Sequence, residues 1–107
     1  MRIVLDACVP RRFAAAFQPL SLLSVGDLLG TTDLDDGPLL AALRDRCDAF
    51  ITMDRSLRFQ QNLGGLPYMI LLLRARSNRL EHLLPLAPAV LLALQDTERG
   101  AVREVGV

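Results

Sequence analysis

The apolar run Ile3-Val4-Leu5 stops abruptly on Asp6, and a second run, Ala49-Phe50-Ile51-Thr52, is followed two residues later by Asp54. Ligands of open α/β sheets bind where parallel strands end, so carboxylates directly after two such runs are expected at a site. This pattern predicts an acidic site able to hold a metal ion.

Strand-like runs fall at about 2–5, 21–25, 49–52 and 68–73, with helical patterns between them. That alternating order predicts an α/β fold of three layers, α/β/α, around a central, mostly parallel sheet of four to five strands. Pro10 stands near a helix start, and Phe13 and Phe17 would share one helix face. The stretch 26–37, rich in Gly, Asp and Thr, reads as a loop ahead of a second helix whose apolar positions are Leu39, Leu40, Leu43 and Cys47. A short helix is expected over 55–62 and a last one over about 80–94, kinked or split by Pro85 and Pro88. Residues 101–107 alternate enough for a weak edge strand, the possible fifth.

The chain has 107 residues, a length that fits a single domain over 1–107. Hydrophobic residues make up 51% and aromatic ones only 5%, so the core must be aliphatic. The most apolar stretch, from Met69 to Leu73, is far short of the roughly 20 residues that span a bilayer. Met1-Arg2 leads straight into a strand-like run with no signal-peptide pattern, so no membrane association and a cytoplasmic location are expected. Cys8 and Cys47 lack zinc spacing and read as reduced packing residues. All twelve basic residues are arginine, which excludes P-loop and Schiff-base chemistry and a normal phospho-receiver domain. They balance twelve acidic residues, so any grip on nucleic acid must be local.

Parallel strands would open Asp6, the region of Asp36, Asp54 and the loop from Arg74 on one edge. Crowded carboxylates repel unless a cation neutralises them, and a hard ion such as Mg²⁺ or Mn²⁺ suits oxygen ligands. Such an ion polarises a phosphoryl oxygen and makes a bound water a better nucleophile. Each acid also has a plainer reading: Asp6 could cap the first helix, Asp36 the second, and Asp54 could cap a helix or shape a turn. Arg74, Arg76 and Arg79, with Asn78 among them, follow the most apolar strand and could face phosphate or simply be solvated. Arg11 is a further candidate for phosphate contact. Gln61, with Gln60 and Asn62, could hydrogen-bond a base or a partner. His82 has no companion histidine and is not expected to be a general base.

Leu5-Asp6 with Val9-Pro10-Arg11-Arg12, Asp36-x-x-Leu39-Leu40 and Ile51-Thr52-x-Asp54 together resemble the short PIN-like proteins that form predicted toxin components of bacterial toxin–antitoxin pairs. The segments Arg58-Phe59-Gln60-Gln61-Asn62-Leu63 and Leu73 to Leu80 are similar to a subgroup of that family, so the likeness spans nearly all of the chain. The resemblance implies a PIN-like α/β/α sandwich, a Mg²⁺- or Mn²⁺-dependent ribonuclease acting on RNA, and an antitoxin partner. Asp6 and Asp54 match the two most secure acidic positions and Asp36 the acid at the second helix. PIN-like proteins often carry another acid shortly after the residue matched by Asp54, where this chain has Ser56. Water, Ser56 or Asn62 would then complete the shell, or metal affinity and activity would be reduced.

The first functional expectation is therefore a metal-dependent endoribonuclease using Asp6, Asp36 and Asp54, with Arg11, Arg74, Arg76, Arg79, Asn78 and Gln61 toward RNA. The second is a catalytically weak PIN-like protein that binds RNA or an antitoxin without cleavage. A third, a receiver-like domain phosphorylated on Asp54, lacks the lysine and the paired acids after the first strand. A second copy or an antitoxin covering so apolar a chain, hence a possible homodimer, is also expected.

Overall fold

The computed structural model describes residues 1–57 and 63–106. Five strands, β1 (Ile3–Leu5), β2 (Leu22–Ser24), β3 (Ala49–Thr52), β4 (Met69–Arg74) and β5 (Val102–Gly106), form one sheet in the order β2-β1-β3-β4-β5. Every adjacent pair is parallel, with Leu5 opposite both Ser24 and Ile51, and Thr52 opposite Leu72. The expected α/β/α sandwich is thus formed, with an all-parallel sheet of five strands.

Strand alternation divides the core in two. Ile3, Leu5, Ile51, Leu71 and Leu73 face the 3₁₀ helix Arg11–Phe17 and the C-terminal helices, where they meet Phe13, Phe17, Leu83, Val90 and Leu94. Val4, Phe50, Ile70 and Leu72 face the other way, against Leu39, Leu40, Leu43, Cys47 and Tyr68. Because β1, β3 and β4 are covered on both faces, their sequences are continuously apolar rather than alternating. Phe13 and Phe17 pack edge to face, 4.9 Å between centroids. Tyr68, fully buried, donates its hydroxyl to the Leu40 carbonyl at 2.8 Å.

Two elements differ from the sequence expectation. The stretch 26–37 is not all loop: α1 (Val25–Leu29) begins directly after β2. Ser24 Oγ accepts from the Asp27 backbone N–H, and Gly30, at φ 76°, closes the turn in the left-handed region open to glycine. The first helix is 3₁₀, not α. The second helix, α2 (Asp36–Ala42), starts where expected. The C-terminal segment is divided at its prolines into α3 (Leu80–Leu83), a 3₁₀ turn (Leu84–Leu86) and α4 (Ala87–Asp96). The helix expected over 55–62 lies mostly outside the described residues. Among the described residues, no helix is long and apolar enough to cross a membrane.

At the N-terminal edge of the sheet, Asp48 accepts from the Arg2 backbone N–H at 2.6 Å, from the Arg2 guanidinium, and from Arg99 at 3.0 Å. Arg2 reaches on to the Asp45 carbonyl at 2.6 Å. These bonds lock β1 to β3 at the end away from the candidate site.

Candidate acidic site at the strand ends

Asp6 is the residue immediately after β1, and its N–H extends the β1–β3 ladder by donating to the Ile51 carbonyl at 2.9 Å. Asp54 lies two residues beyond β3. What joins them is Thr52, the last residue of β3 and fully buried. Its hydroxyl donates to Asp6 Oδ2 at 2.7 Å and accepts from the Asp54 backbone N–H at 3.1 Å. One hydroxyl therefore uses both its donor and its acceptor capacity to tie the two acidic loops together. Asp6 Oδ1 takes the Ala7 N–H at 2.8 Å, so the carboxylate is held at both oxygens.

Asp54 Oδ1 accepts from the Ser56 N–H at 3.0 Å and from the Ser56 hydroxyl. The turn-forming reading of Asp54 is thus realised, while Oδ2 carries no hydrogen bond among the described residues. Ser56 acts as a donor that fixes Asp54. The capping reading of Asp6 is not realised, because the 3₁₀ helix begins at Arg11 with Pro10 before it. Nor is Asp36 a cap: the cap position is Asp35, and Asp36 opens α2.

Asp36 shares the field of the other two acids. Burial first, then the negative charges of Asp54, Asp6 and Asp35, raise its carboxyl above the ordinary range. Asp36 thus lies within the field of Asp54 and Asp6, on the sheet edge that the parallel topology predicts. The three acids do not converge to ligand distance: among the described residues, no three or more His, Cys, Asp or Glu side chains are grouped so as to hold an ion.

Cys8, half-buried, sets its thiol 3.7 Å from Asp6 Oδ2 and 3.9 Å from Thr52 Oγ1. Burial raises it further into the protonated form. Cys47, buried on the other face of the sheet, is pushed up to about 12. Both cysteines are free, as expected for packing residues.

The residues expected toward RNA are differently engaged. Arg11 pairs with Asp27, Arg79 with Glu81 at 2.8 Å, and Arg74 with Glu104 at 3.5 Å. Such exposed pairs contribute little and can exchange partners. Asn78 gives its side-chain N–H to the Cys8 carbonyl at 3.0 Å, fastening the loop after β4 to the loop after β1. Ser77 Oγ accepts from the Arg79 N–H and lies 2.7 Å from His82 Nδ1, so this histidine has a partner that the sequence did not suggest. Arg76 has no carboxylate partner among the described residues. Gln61 lies outside the described residues.

Sequence reasoning missed the bridging role of Thr52 and the place of Arg55, which lines a cleft with Arg74 and Arg76. A hydroxyl at the last position of an otherwise apolar buried strand was the available signal for the first. For the second it was a cation directly after the acid. Comparison with known families finds no family model that matches the chain, and no characterised protein or solved structure matches it either.

Proposed function

We propose that the protein is a metal-dependent endoribonuclease of PIN-like type, acting as the toxin of a bacterial toxin–antitoxin pair. The observation that carries this reading is the Thr52 hydroxyl tying the Asp6 carboxylate to the backbone of the Asp54 loop at the C-terminal edge of a parallel sheet. By chemical type the donors suit a hard divalent ion, since all are carboxylate oxygens, although among the described residues the three are not gathered to ligand distance. Asp6 and Asp54 would hold Mg²⁺ or Mn²⁺, with Asp36 ligating it or orienting the attacking water. When bound, the ion supplies charge neutralisation and lowers the pKa of a bound water.

The chain's own part is orientation. Thr52 fixes the angle between the two acid-bearing loops, Ser56 restrains Asp54, and the guanidinium groups of the loop after β4 meet phosphate charge. Incubating the protein with labelled single-stranded RNA in Mn²⁺ or Mg²⁺, beside a chelator control, tests the reading. Metal-dependent fragments support it, and intact RNA with folded protein across several sequences overturns it.

A second reading, a PIN-like protein that binds RNA or an antitoxin without cutting, is favoured by two observations. Ser56 spends its side chain on Asp54 where an acid would ligate, and the three carboxylates are not gathered to ligand distance. RNA binding insensitive to divalent ions and to Asp6→Asn would establish it.

A further inference from the structure

We propose that the cleft bounded by Arg55, Arg74 and Arg76 is a subsite for a backbone phosphodiester of single-stranded RNA, separate from the acids that would act on the scissile bond. It rests on the nuclease reading only in its choice of RNA as ligand. The place follows from topology. Arg55 directly follows Asp54 beyond β3, Arg74 is the last residue of β4, and Arg76 lies two residues beyond it. Since β3 and β4 are parallel neighbours, with Thr52 opposite Leu72, their loops leave the same sheet edge side by side. Between them is a cleft of about 380 Å³, lined among the described residues by Arg55, Arg74, Arg76 and the small side chain of Ala75.

On a chain whose net charge is zero, this cleft gathers three arginines around one cavity. Elsewhere Arg2 and Arg99 pair with Asp48, Arg11 with Asp27 and Arg79 with Glu81, while Arg12, Arg44, Arg46 and Arg103 have no ion pair among the described residues. In the cleft, Arg74 has Glu104 at 3.5 Å, but Arg55 and Arg76 have neither ion pair nor side-chain hydrogen bond among the described residues. Like charges held around one cavity repel one another, and an anion placed between them relieves that repulsion. Guanidinium forks match the paired oxygens of a phosphodiester, which they hold in a fixed orientation. The neighbouring acids argue for a polymer: on the nuclease reading the scissile phosphate is at the metal held by Asp6 and Asp54, and a strand leaving it would bring a neighbouring phosphate to Arg55, which a single small anion cannot do.

The test is fluorescence anisotropy of a labelled single-stranded oligoribonucleotide with the full chain in chelator, so that nothing is cut. The variants are Arg55→Gln, Arg76→Gln and the pair, with Arg44→Gln as a control. Arg44 is exposed and follows α2, at the end of that helix away from Asp36. The paired variant is expected to bind at least tenfold more weakly at low salt. The slope of log affinity against log salt should fall by about 0.7 for each phosphate that is no longer neutralised. Arg55→Lys should recover part of the affinity, because it keeps the charge without the fork. Wild-type affinity and slope in the paired variant, or an equal loss in Arg44→Gln, would overturn the subsite. So would competition by polyglutamate as strong, charge for charge, as competition by unlabelled RNA, or complete displacement of RNA by inorganic phosphate at equal phosphate concentration. Arginine-dependent binding without turnover in metal would leave the subsite standing and remove the nuclease reading. Turnover that ignores both substitutions would do the reverse.

Discussion

Replacing Thr52 by valine removes one oxygen from a fully buried position and leaves the shape of the side chain nearly unchanged. Two hydrogen bonds go with it: the 2.7 Å bond to Asp6 Oδ2 and the 3.1 Å bond from the Asp54 N–H. A bond to a charged acceptor contributes about 1.5–3 kcal/mol and a neutral one about 0.5–1.5 kcal/mol. Asp6 and Asp54 are only half-buried, so water restores part of this, and the net loss of stability should be about 1–3 kcal/mol. Urea titration should show that loss as a lower midpoint at unchanged slope, and heating should lower Tm by roughly 4–8 °C for each kcal/mol. On the nuclease reading the catalytic effect is larger than the stability effect, because a misplacement of about 1 Å costs roughly a hundredfold in rate. Thr52→Ser keeps the hydroxyl and should retain most of both properties. A Thr52→Val protein with the wild-type midpoint and undiminished cleavage would refute the bridging role.

Other outcomes follow from charge and backbone geometry. The hydrogen bond from the Arg2 side chain, first among several contributions, holds the Asp48 carboxyl below its ordinary range, so its stabilising effect is present above about pH 4 and is lost as pH falls through the depressed value. Asp48→Asn should therefore unfold at lower urea than the wild type at pH 7, and the gap should close in acid. Asp36 has the opposite sign: its raised carboxyl makes the charged form unfavourable in the native state, so its penalty grows as pH rises from the unfolded value through the raised one. Without divalent ions, Asp36→Asn should be more stable than the wild type at pH 7 and equal to it in acid, as denaturant midpoints at the two pH values would reveal. Gly106, at φ 155°, lies against the Arg74 backbone, where an added Cβ would clash with the Arg74 carbonyl. Gly106→Ala should cost about 1–3 kcal/mol and loosen β5, seen as faster amide exchange in 102–106.

The architecture was legible because each buried strand is a short apolar run with its own terminating residues. Ile3-Val4-Leu5 and the run from Met69 to Leu73 carry no polar face, the mark of strands covered on both sides, and this predicted the three layers. The short helix after β2 was hidden because the Gly and Asp content of 26–37 suggests a loop, although Ser24-x-x-Asp27 already held the cap. The shared edge of Asp6, Asp36 and Asp54 followed from topology alone. Their orientation did not: the hydrogen bonds of Thr52 and Ser56 depend on side-chain direction across two strands. Ion pairs were the least legible feature. Arg11 with Asp27 and Arg99 with Asp48 join residues far apart in sequence, so an arginine that looked free for phosphate was already matched, while Arg55 was left without a partner among the described residues.

Whether Asp6 and Asp54 together hold a divalent ion decides between the two functional readings. Mn²⁺ titration followed by electron paramagnetic resonance asks this directly, comparing wild type with Asp6→Asn, Asp54→Asn and Ser56→Asp, each checked for fold by circular dichroism. A saturable Mn²⁺ site is expected in the wild type, lost in either asparagine variant and tightened by Ser56→Asp. Equal Mn²⁺ binding in wild type and both asparagine variants, or none in the wild type and in Ser56→Asp, would rule out a metal centre on these two acids.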